Sequence, residues 1–187
     1  MRVTHYVQLL AKALGLKDKV VELLSQAAPL YDIGKLAVSD NVLRKSDKLV
    51  ASEWAEVRKH PEIGANIIGE HKDPLLEQAR IMALTHHERW DGAGYPKKLK
   101  GDTIPLAGRI MAVADAFEAM TATQRHRSPI SSVEAASIVV AESGKQFDPS
   151  VVAAFMKVAK EFDELRAKHK DELEGIHDLD FGPPKKK

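Results

Sequence analysis

Apolar residues recur at helical spacing along almost the whole chain, and no run alternates in the manner of a strand. The pattern predicts about seven to nine helices, packed as an all-α compact helical bundle. Pro61 suits the first turn of one of them, with Ile63, Ile67 and Ile68 facing inward. The predicted helices contain the segments Val7–Leu14, Val20–Ala28, Trp54–Val57, Ile63–Ile68, Leu75–His86, Ile110–Phe117, Ala135–Val140 and Val151–Val158.

Two stretches break the helical pattern. Residues 32–44 are expected to form a loop with a glycine hinge, and residues 88–105 hold too many glycines and prolines for a helix. Long irregular segments inside a small domain are usually functional or disordered. The first segment begins at an aspartate and the second follows two adjacent histidines, His86 and His87, so we expect both to belong to a site.

Composition narrows the chemistry. The 28 basic and 27 acidic residues balance, which argues against binding a nucleic acid polymer or an anionic membrane. No apolar run approaches the roughly 20 residues of a membrane span, so none is predicted. The absence of cysteine fits the cytoplasm and leaves only histidine, aspartate and glutamate as metal ligands.

Five residues are candidates for such a site, each expected at or near a helix end: Asp32, His60, His86, His87 and Asp115. His86 continues an apolar stripe and should point inward, with His87 about 100° away around the helix. Imidazole and carboxylate donors suit iron, manganese, cobalt or zinc. Taken singly, a buried histidine is more often a hydrogen-bonded core residue, whereas a carboxylate among apolar residues, as at Asp115, needs a partner or a cation.

The sequence resembles the HD-GYP family over about residues 2–160. The matching segments are Leu30–Leu36 (LYDIGKL), His60–Gly64 (HPEIG), His86–Pro96 (HHERWDGAGYP), Ile104–Asp115 (IPLAGRIMAVAD) and Phe147–Pro149 (FDP). The resemblance implies an HD-type helical fold and hydrolysis of cyclic di-GMP, or a related cyclic dinucleotide, to pGpG or GMP. It also implies two or three divalent metal ions, with iron favoured and manganese possible.

The same resemblance implies roles for individual residues. Asp32 would be catalytic and bridge metals, and the other four candidates would be metal ligands. Lys35 would contact the substrate phosphate or assist the leaving group, although alone it reads as a solvated loop charge. Gly94, Tyr95 and Pro96 are the signature loop, near the site and available to a signalling partner, although a turn with a packed tyrosine would look the same. Further expected substrate contacts are Arg109, Tyr95 and Arg125.

The chain departs from the family pattern in three places. Tyr31 stands where the family has the histidine of its His-Asp pair. A further histidine of the first helix would lie before residue 2, so that helix is expected to be truncated. Gln124 stands where family members often have an arginine, with Arg125 and Arg127 close enough to substitute. These changes leave the fold prediction intact and bear on activity.

Residues 1–165 are therefore predicted to form the HD-GYP-like domain, and residues 166–187 an extension with a disordered basic tail (GPPKKK). The leading hypothesis is a metal-dependent cyclic di-GMP phosphodiesterase. The alternatives are a catalytically weakened binding or signalling module and an HD-fold hydrolase of another nucleotide.

Overall fold

Residues 2–45, 47–123 and 128–169 are described in the computed structural model, and they form nine α-helices and three short 3-10 helices. Within these ranges there is no strand, only one isolated β-bridge between Ser143 and Phe147. The all-α prediction is confirmed. The α-helices are α1 (Arg2–Ala13), α2 (Asp18–Ala27), α3 (Asp40–Leu43), α4 (Ala51–Val57), α5 (His60–Ile68), α6 (Pro74–Thr85), α7 (Leu106–Thr121), α8 (Ser132–Ala141) and α9 (Pro149–Lys168); the 3-10 helices are Ala28–Leu30, Ile33–Ala37 and Gly101–Thr103.

The core lies where α1, α7 and α9 meet. Tyr6 is fully buried and stacks on Phe162 with ring centroids 4.2 Å apart, while Phe117 meets both rings edge-on. The predicted stripe of α7 is confirmed, since Ile110 and Phe117 have no exposed surface. Each buried aromatic side chain removes a large apolar area from water and so contributes strongly to the stability of this core.

Two close backbone approaches set the positions of the helices around the candidate residues. A Cβ atom on Gly34 would meet the backbone of His60 and Gly64, so the 3-10 helix Ile33–Ala37 lies directly on α5. A Cβ atom on Gly108 would overlap Thr85, so α7 lies directly on the C-terminal end of α6. Glycine at these positions brings Asp32, His60, His86 and Asp115 to one end of the bundle.

Three sequence-based expectations are wrong. Residues 32–44 are not a loop, because they hold the 3-10 helix Ile33–Ala37 and the single turn α3. Ile67 does not face inward but is 50% exposed. Successive helical residues point about 100° apart, so α5 buries Ile68 and turns Ile67 to solvent. Asp115 is not near a helix end, since it lies well inside α7.

The C-terminal helix α9 continues to Lys168, through the predicted domain boundary at residue 165. The basic tail Gly182–Lys187 lies outside the described residues, as do Gln124, Arg125 and Arg127. Among the described helices, none is both long enough and apolar enough to cross a membrane.

Candidate metal centre

Three imidazoles meet at the end of the bundle where α5 begins and α6 ends. Their ligand nitrogens, from His60, His86 and His87, all lie within 4.8 Å of one another. His60 is the first residue of α5, and His86 directly follows the last turn of α6. The predicted inward orientation of His86 is confirmed, since its side chain is buried against His60 with the two Nε2 atoms 3.2 Å apart.

Backbone carbonyls determine which ring nitrogens carry protons. His60 Nδ1 lies 2.7 Å from the Val57 carbonyl oxygen, and His86 Nδ1 lies 2.9 Å from that of Met82. A carbonyl oxygen only accepts, so each Nδ1 carries a proton and donates it. In the neutral rings, both Nε2 atoms are therefore unprotonated, and their lone pairs face each other. Such backbone acceptors are the usual partners of metal-binding histidines.

Asp32 completes this convergence of lone pairs. Its Oδ1 lies 3.3 Å from His60 Nε2 and 3.7 Å from His86 Nε2, is buried, and accepts no hydrogen bond. Its Oδ2 lies 2.6 Å from Lys35 Nζ. Burial acts to raise the pKa of Asp32, but that pKa lies below its ordinary value, and the adjacent Lys35 ammonium is one cause. An anionic oxygen therefore faces two nitrogen lone pairs.

A proton is a poor occupant of this position near neutral pH. Burial lowers the pKa of His86 to about 4, and burial together with the neighbouring imidazoles lowers the pKa of His87 to about 2. Acceptors that converge without a donor are the expected surroundings of a cation. Nitrogen and oxygen donors in this number suit a first-row divalent metal, so the residues present fit a metal ion.

Asp115 lies beside this group rather than in it. It is half-buried and lines the cavity described below, and its Oδ1 accepts a hydrogen bond from the Tyr31 hydroxyl at 3.0 Å. Burial, with the nearby Asp32 charge, raises the pKa of Asp115 to about 6. Burial and the same two carboxylates raise the pKa of Tyr31 well above its usual value, so the phenol stays protonated and donates. The Tyr31 ring meets His86 edge-on at 5.2 Å.

The predicted signature loop lies against the cluster. Tyr95 stacks on His87 with ring centroids 4.8 Å apart, and the Tyr95–Pro96 peptide bond is cis. Gly94 lies so close to the backbone of Glu88 that a Cβ atom added to Gly94 would be 2.6 Å from the Cα atom of Glu88. Glu88 is buried, and its carboxylate accepts from the backbone N–H groups of Lys97 and Leu99 at 2.6 and 3.0 Å. The loop is thus fastened on both sides of Pro96.

A cavity of about 290 Å³ opens on the cluster. His86, His87, Asp115 and Tyr95 line it, together with Arg58 from the end of α4. The Arg58 guanidinium lies 5.5 Å above the Tyr95 ring and, within the described residues, forms no ion pair. A larger cavity of about 700 Å³ lies between α8 and α9, but its lining is mostly apolar and contains none of the candidate residues.

Sequence reasoning missed Arg58, Glu88 and the backbone acceptors of the histidines. The position of Arg58 two residues before His60 was the one available signal, because the turn that ends α4 also begins α5. The acceptor carbonyls belong to Val57 and Met82, whose side chains give no sign of this role.

One expected substrate contact, Arg109, is not brought to the cluster. Arg109 is absent from the cavity lining, and its guanidinium is bound by Asp148 at 2.7 Å and Asp102 at 3.0 Å, beside the Trp90 ring. Asp148 also caps α9 by accepting from the Ser150 N–H, which accounts structurally for the Phe147–Pro149 motif. Arg125 lies outside the described residues.

Comparison with known proteins decides the family. The sequence model of the HD domain matches residues 1–151, most of the chain. The chain belongs to the HD domain family. The HD domain is 40% identical over 166 residues to the 3'3'-cGAMP-specific phosphodiesterase 2 of Vibrio cholerae, covering 89% of this chain and 32% of that protein. It is also 40% identical over 163 residues to the cyclic di-GMP phosphodiesterase of Thermotoga maritima, covering 87% of this chain and 44% of that protein.

Solved structures agree on the fold. An HDG"Y"P protein from Bdellovibrio bacteriovorus superimposes with a TM-score of 0.65 at 21% identity, over 84% of this chain and 50% of that one. The resemblance to HD-GYP proteins is thereby confirmed at the level of fold. The chain spans between a third and a half of the length of the curated relatives it matches.

Proposed function

We propose that this HD domain is a metal-dependent phosphodiesterase that hydrolyses a cyclic dinucleotide, with cyclic di-GMP the first candidate. The observation that carries the proposal is the convergence of unprotonated imidazole nitrogens and one carboxylate oxygen beside an open cavity. The names of the relatives support the substrate class, since they are phosphodiesterases of cyclic di-GMP and of 3'3'-cGAMP.

The metal-holding residues in this proposal are His60, His86, His87 and Asp32. When bound, a divalent metal supplies the Lewis acidity that makes water a nucleophile near neutral pH. The backbone carbonyls behind His60 and His86 keep both Nε2 lone pairs directed at the ion. Lys35 holds Oδ2 of Asp32 and so orients Oδ1 toward the imidazoles.

Two cations would act on the phosphate. Arg58 lines the cavity and presents a planar guanidinium, which pairs with two phosphate oxygens at once. Lys35 lies beside Asp32 with its side chain 43% exposed, and its ammonium would offset charge that develops on the phosphoryl or leaving oxygens. Sites for whole ligands usually measure about 300–1,000 Å³. The cavity at 290 Å³ therefore takes the phosphodiester and part of one nucleotide, leaving the rest of the ring at the surface.

Several finer expectations remain predictions. They are iron as the favoured metal with manganese possible, a signalling partner at Gly94–Pro96, cytoplasmic location, and the domain limits 1–165 and 166–187. The two or three ions that the resemblance implies are not part of the proposal, because the Tyr31 hydroxyl is hydrogen-bonded to Asp115. Of the substrate contacts, Tyr95 lines the cavity, whereas Arg109 is engaged elsewhere and Arg125 is not described.

A second candidate function has one observation in its favour. The Tyr31 hydroxyl donates a hydrogen bond to Asp115, so a carboxylate that was expected to bind metal already has a partner within the chain. A domain weakened in this way would bind the dinucleotide and signal without cleaving it. An HD-fold hydrolase of a linear nucleotide is the remaining alternative.

The test compares substrates on metal-loaded protein. The protein is purified anaerobically, loaded with iron or manganese, and incubated with cyclic di-GMP, 3'3'-cGAMP and linear pGpG beside an Asp32→Ala control. Cleavage of a cyclic dinucleotide by the parent alone is the expected result. If metal-loaded protein binds a cyclic dinucleotide tightly but releases no product, the domain is a signalling module. If it prefers the linear nucleotide, it is an HD-fold hydrolase of linear nucleotides.

A further inference from the structure

Two of the carboxylate oxygens that could recruit a second metal ion are already hydrogen-bonded within the chain. Asp115 has its Oδ1 bound by the Tyr31 hydroxyl at 3.0 Å. Asp32 has its Oδ2 bound by the Lys35 ammonium at 2.6 Å, which leaves only Oδ1 directed at the imidazoles. A carboxylate bridges two ions by giving one oxygen to each, and Asp32 has one oxygen to give.

The Tyr31 side chain contacts both His86 and Asp115. Its ring packs edge-on against His86, and its hydroxyl donates to Asp115. Carboxylate ligands lie about 2.0–2.2 Å from a metal such as zinc. The phenol hydrogen therefore lies on an Asp115 oxygen that an ion shared with Asp32 would use. A neutral phenol contributes a proton there and no ligand charge.

We propose that this HD domain holds a single divalent ion, bound by the three histidines and Asp32, and that Tyr31 excludes a second ion from the position beside Asp115. The inference rests on the metal site of the proposed function and concerns how many ions it takes. Two aspartates cancel the charge of one divalent ion. The positive charge that attracts a phosphodiester then comes from Lys35 and Arg58 rather than from surplus metal charge.

The number of ions is measured directly, without an activity assay. The purified chain is stripped with a chelator, reloaded anaerobically with excess Mn²⁺ and desalted, and its manganese per chain is determined by elemental analysis. The paramagnetic resonance spectrum separates an isolated Mn²⁺ from two ions coupled through a shared ligand. One uncoupled ion per chain is expected for the parent.

Tyr31→His supplies a nitrogen donor in place of the phenol, frees Asp115, and is expected to take two ions. Adding Asp115→Asn to that variant should return it to one. Two coupled ions in the parent, or one ion in a folded Tyr31→His protein, would overturn the inference. If Tyr31→His does not fold, Asp115→Asn alone decides, since one tightly bound ion must survive and its loss contradicts the assignment. A parent that binds no metal contradicts the proposed function instead.

Discussion

Replacing Gly34 with alanine tests whether the close approach of the Ile33–Ala37 turn to α5 holds the metal ligands together. The added Cβ would lie 2.5 Å from Gly64 N and 2.8 Å from the carbonyl carbon of His60. Both are backbone atoms, so neither can rotate away. Ordinary carbon contacts begin near 3.5 Å, so the turn must move by about 1 Å. Asp32 moves with it, and its 3.3 Å separation from His60 Nε2 widens by a similar amount.

Two quantities should change in Gly34→Ala. Overpacking of this kind costs about 1–3 kcal/mol, which at about 2–4 °C per kcal/mol lowers the melting temperature of the metal-free protein by several degrees. Disturbed ligand orientation should weaken Mn²⁺ binding by about 10–100-fold. Melting in chelator measures the first, and competition with a fluorescent chelator measures the second.

Gly64→Ala is the graded control for this prediction. Its Cβ would lie 3.1 Å from Gly34 N, so the same interface needs to open by only a few tenths of an ångström. The loss of Mn²⁺ affinity should have the same sign as in Gly34→Ala and be clearly smaller, whereas the melting temperature also gains from the higher helix propensity of alanine inside α5. A folded Gly34→Ala protein with unchanged Mn²⁺ affinity would refute the reasoning that this contact places Asp32.

Further predictions concern substrate binding, pH and the loop. Arg58→Ala should raise KM for the cyclic dinucleotide about 10-fold through loss of a charge-assisted hydrogen bond, with kcat less affected and partial recovery in Arg58→Lys; an unchanged KM would remove Arg58 from the site. The metal-free protein should melt at a lower temperature at pH 5.5 than at pH 7.5. The pKa values of His86 and His87, about 4 and about 2, lie below the ordinary 6.5, so their contribution to stability is present above pH 6.5 and lost as pH falls. The pKa of Asp115 is raised to about 6, so protonation of this carboxyl adds stability as pH falls and offsets part of the loss from the histidines. Equal melting temperatures at the two pH values would contradict this prediction. Glu88→Gln replaces an acceptor of two backbone N–H groups, at a cost of about 1–3 kcal/mol, and should speed hydrogen exchange of the amides of residues 97 and 99; unchanged exchange would show that the loop is fastened elsewhere.

The long helices were predictable because each buries one face over several turns. Ile110 and Phe117 on α7 lie at that spacing, and the structure buries both. The turn Ile33–Ala37 and the four-residue α3 are too short to display a period, so the same reasoning made them a loop. The burial of Ile67 was predicted wrongly because neighbouring residues of a helix point in different directions. Ile68 lies on the buried face of α5, and Ile67 does not.

The candidate site was predictable in its ligand types and less so in their arrangement. Histidines and aspartates among apolar residues indicate metal binding whatever the fold. The hydrogen bond from Tyr31 to Asp115, however, joins residues 84 positions apart and depends on how α7 packs. The guanidinium of Arg58 reaches the site only because α4 ends beside α5 and the loop brings Tyr95 under it. Long-range packing of this kind has no local signature in the sequence.

The central claim is that a metal ion held by His60, His86, His87 and Asp32 makes this HD domain a phosphodiesterase. The most direct test is the rate of cyclic di-GMP cleavage measured against bound Mn²⁺ per chain, from fully stripped to fully loaded protein, for the parent and Asp32→Ala. We expect no cleavage without metal, a rate proportional to metal occupancy in the parent, and no cleavage by the variant. Cleavage at full rate by stripped protein, or by Asp32→Ala, would contradict the claim.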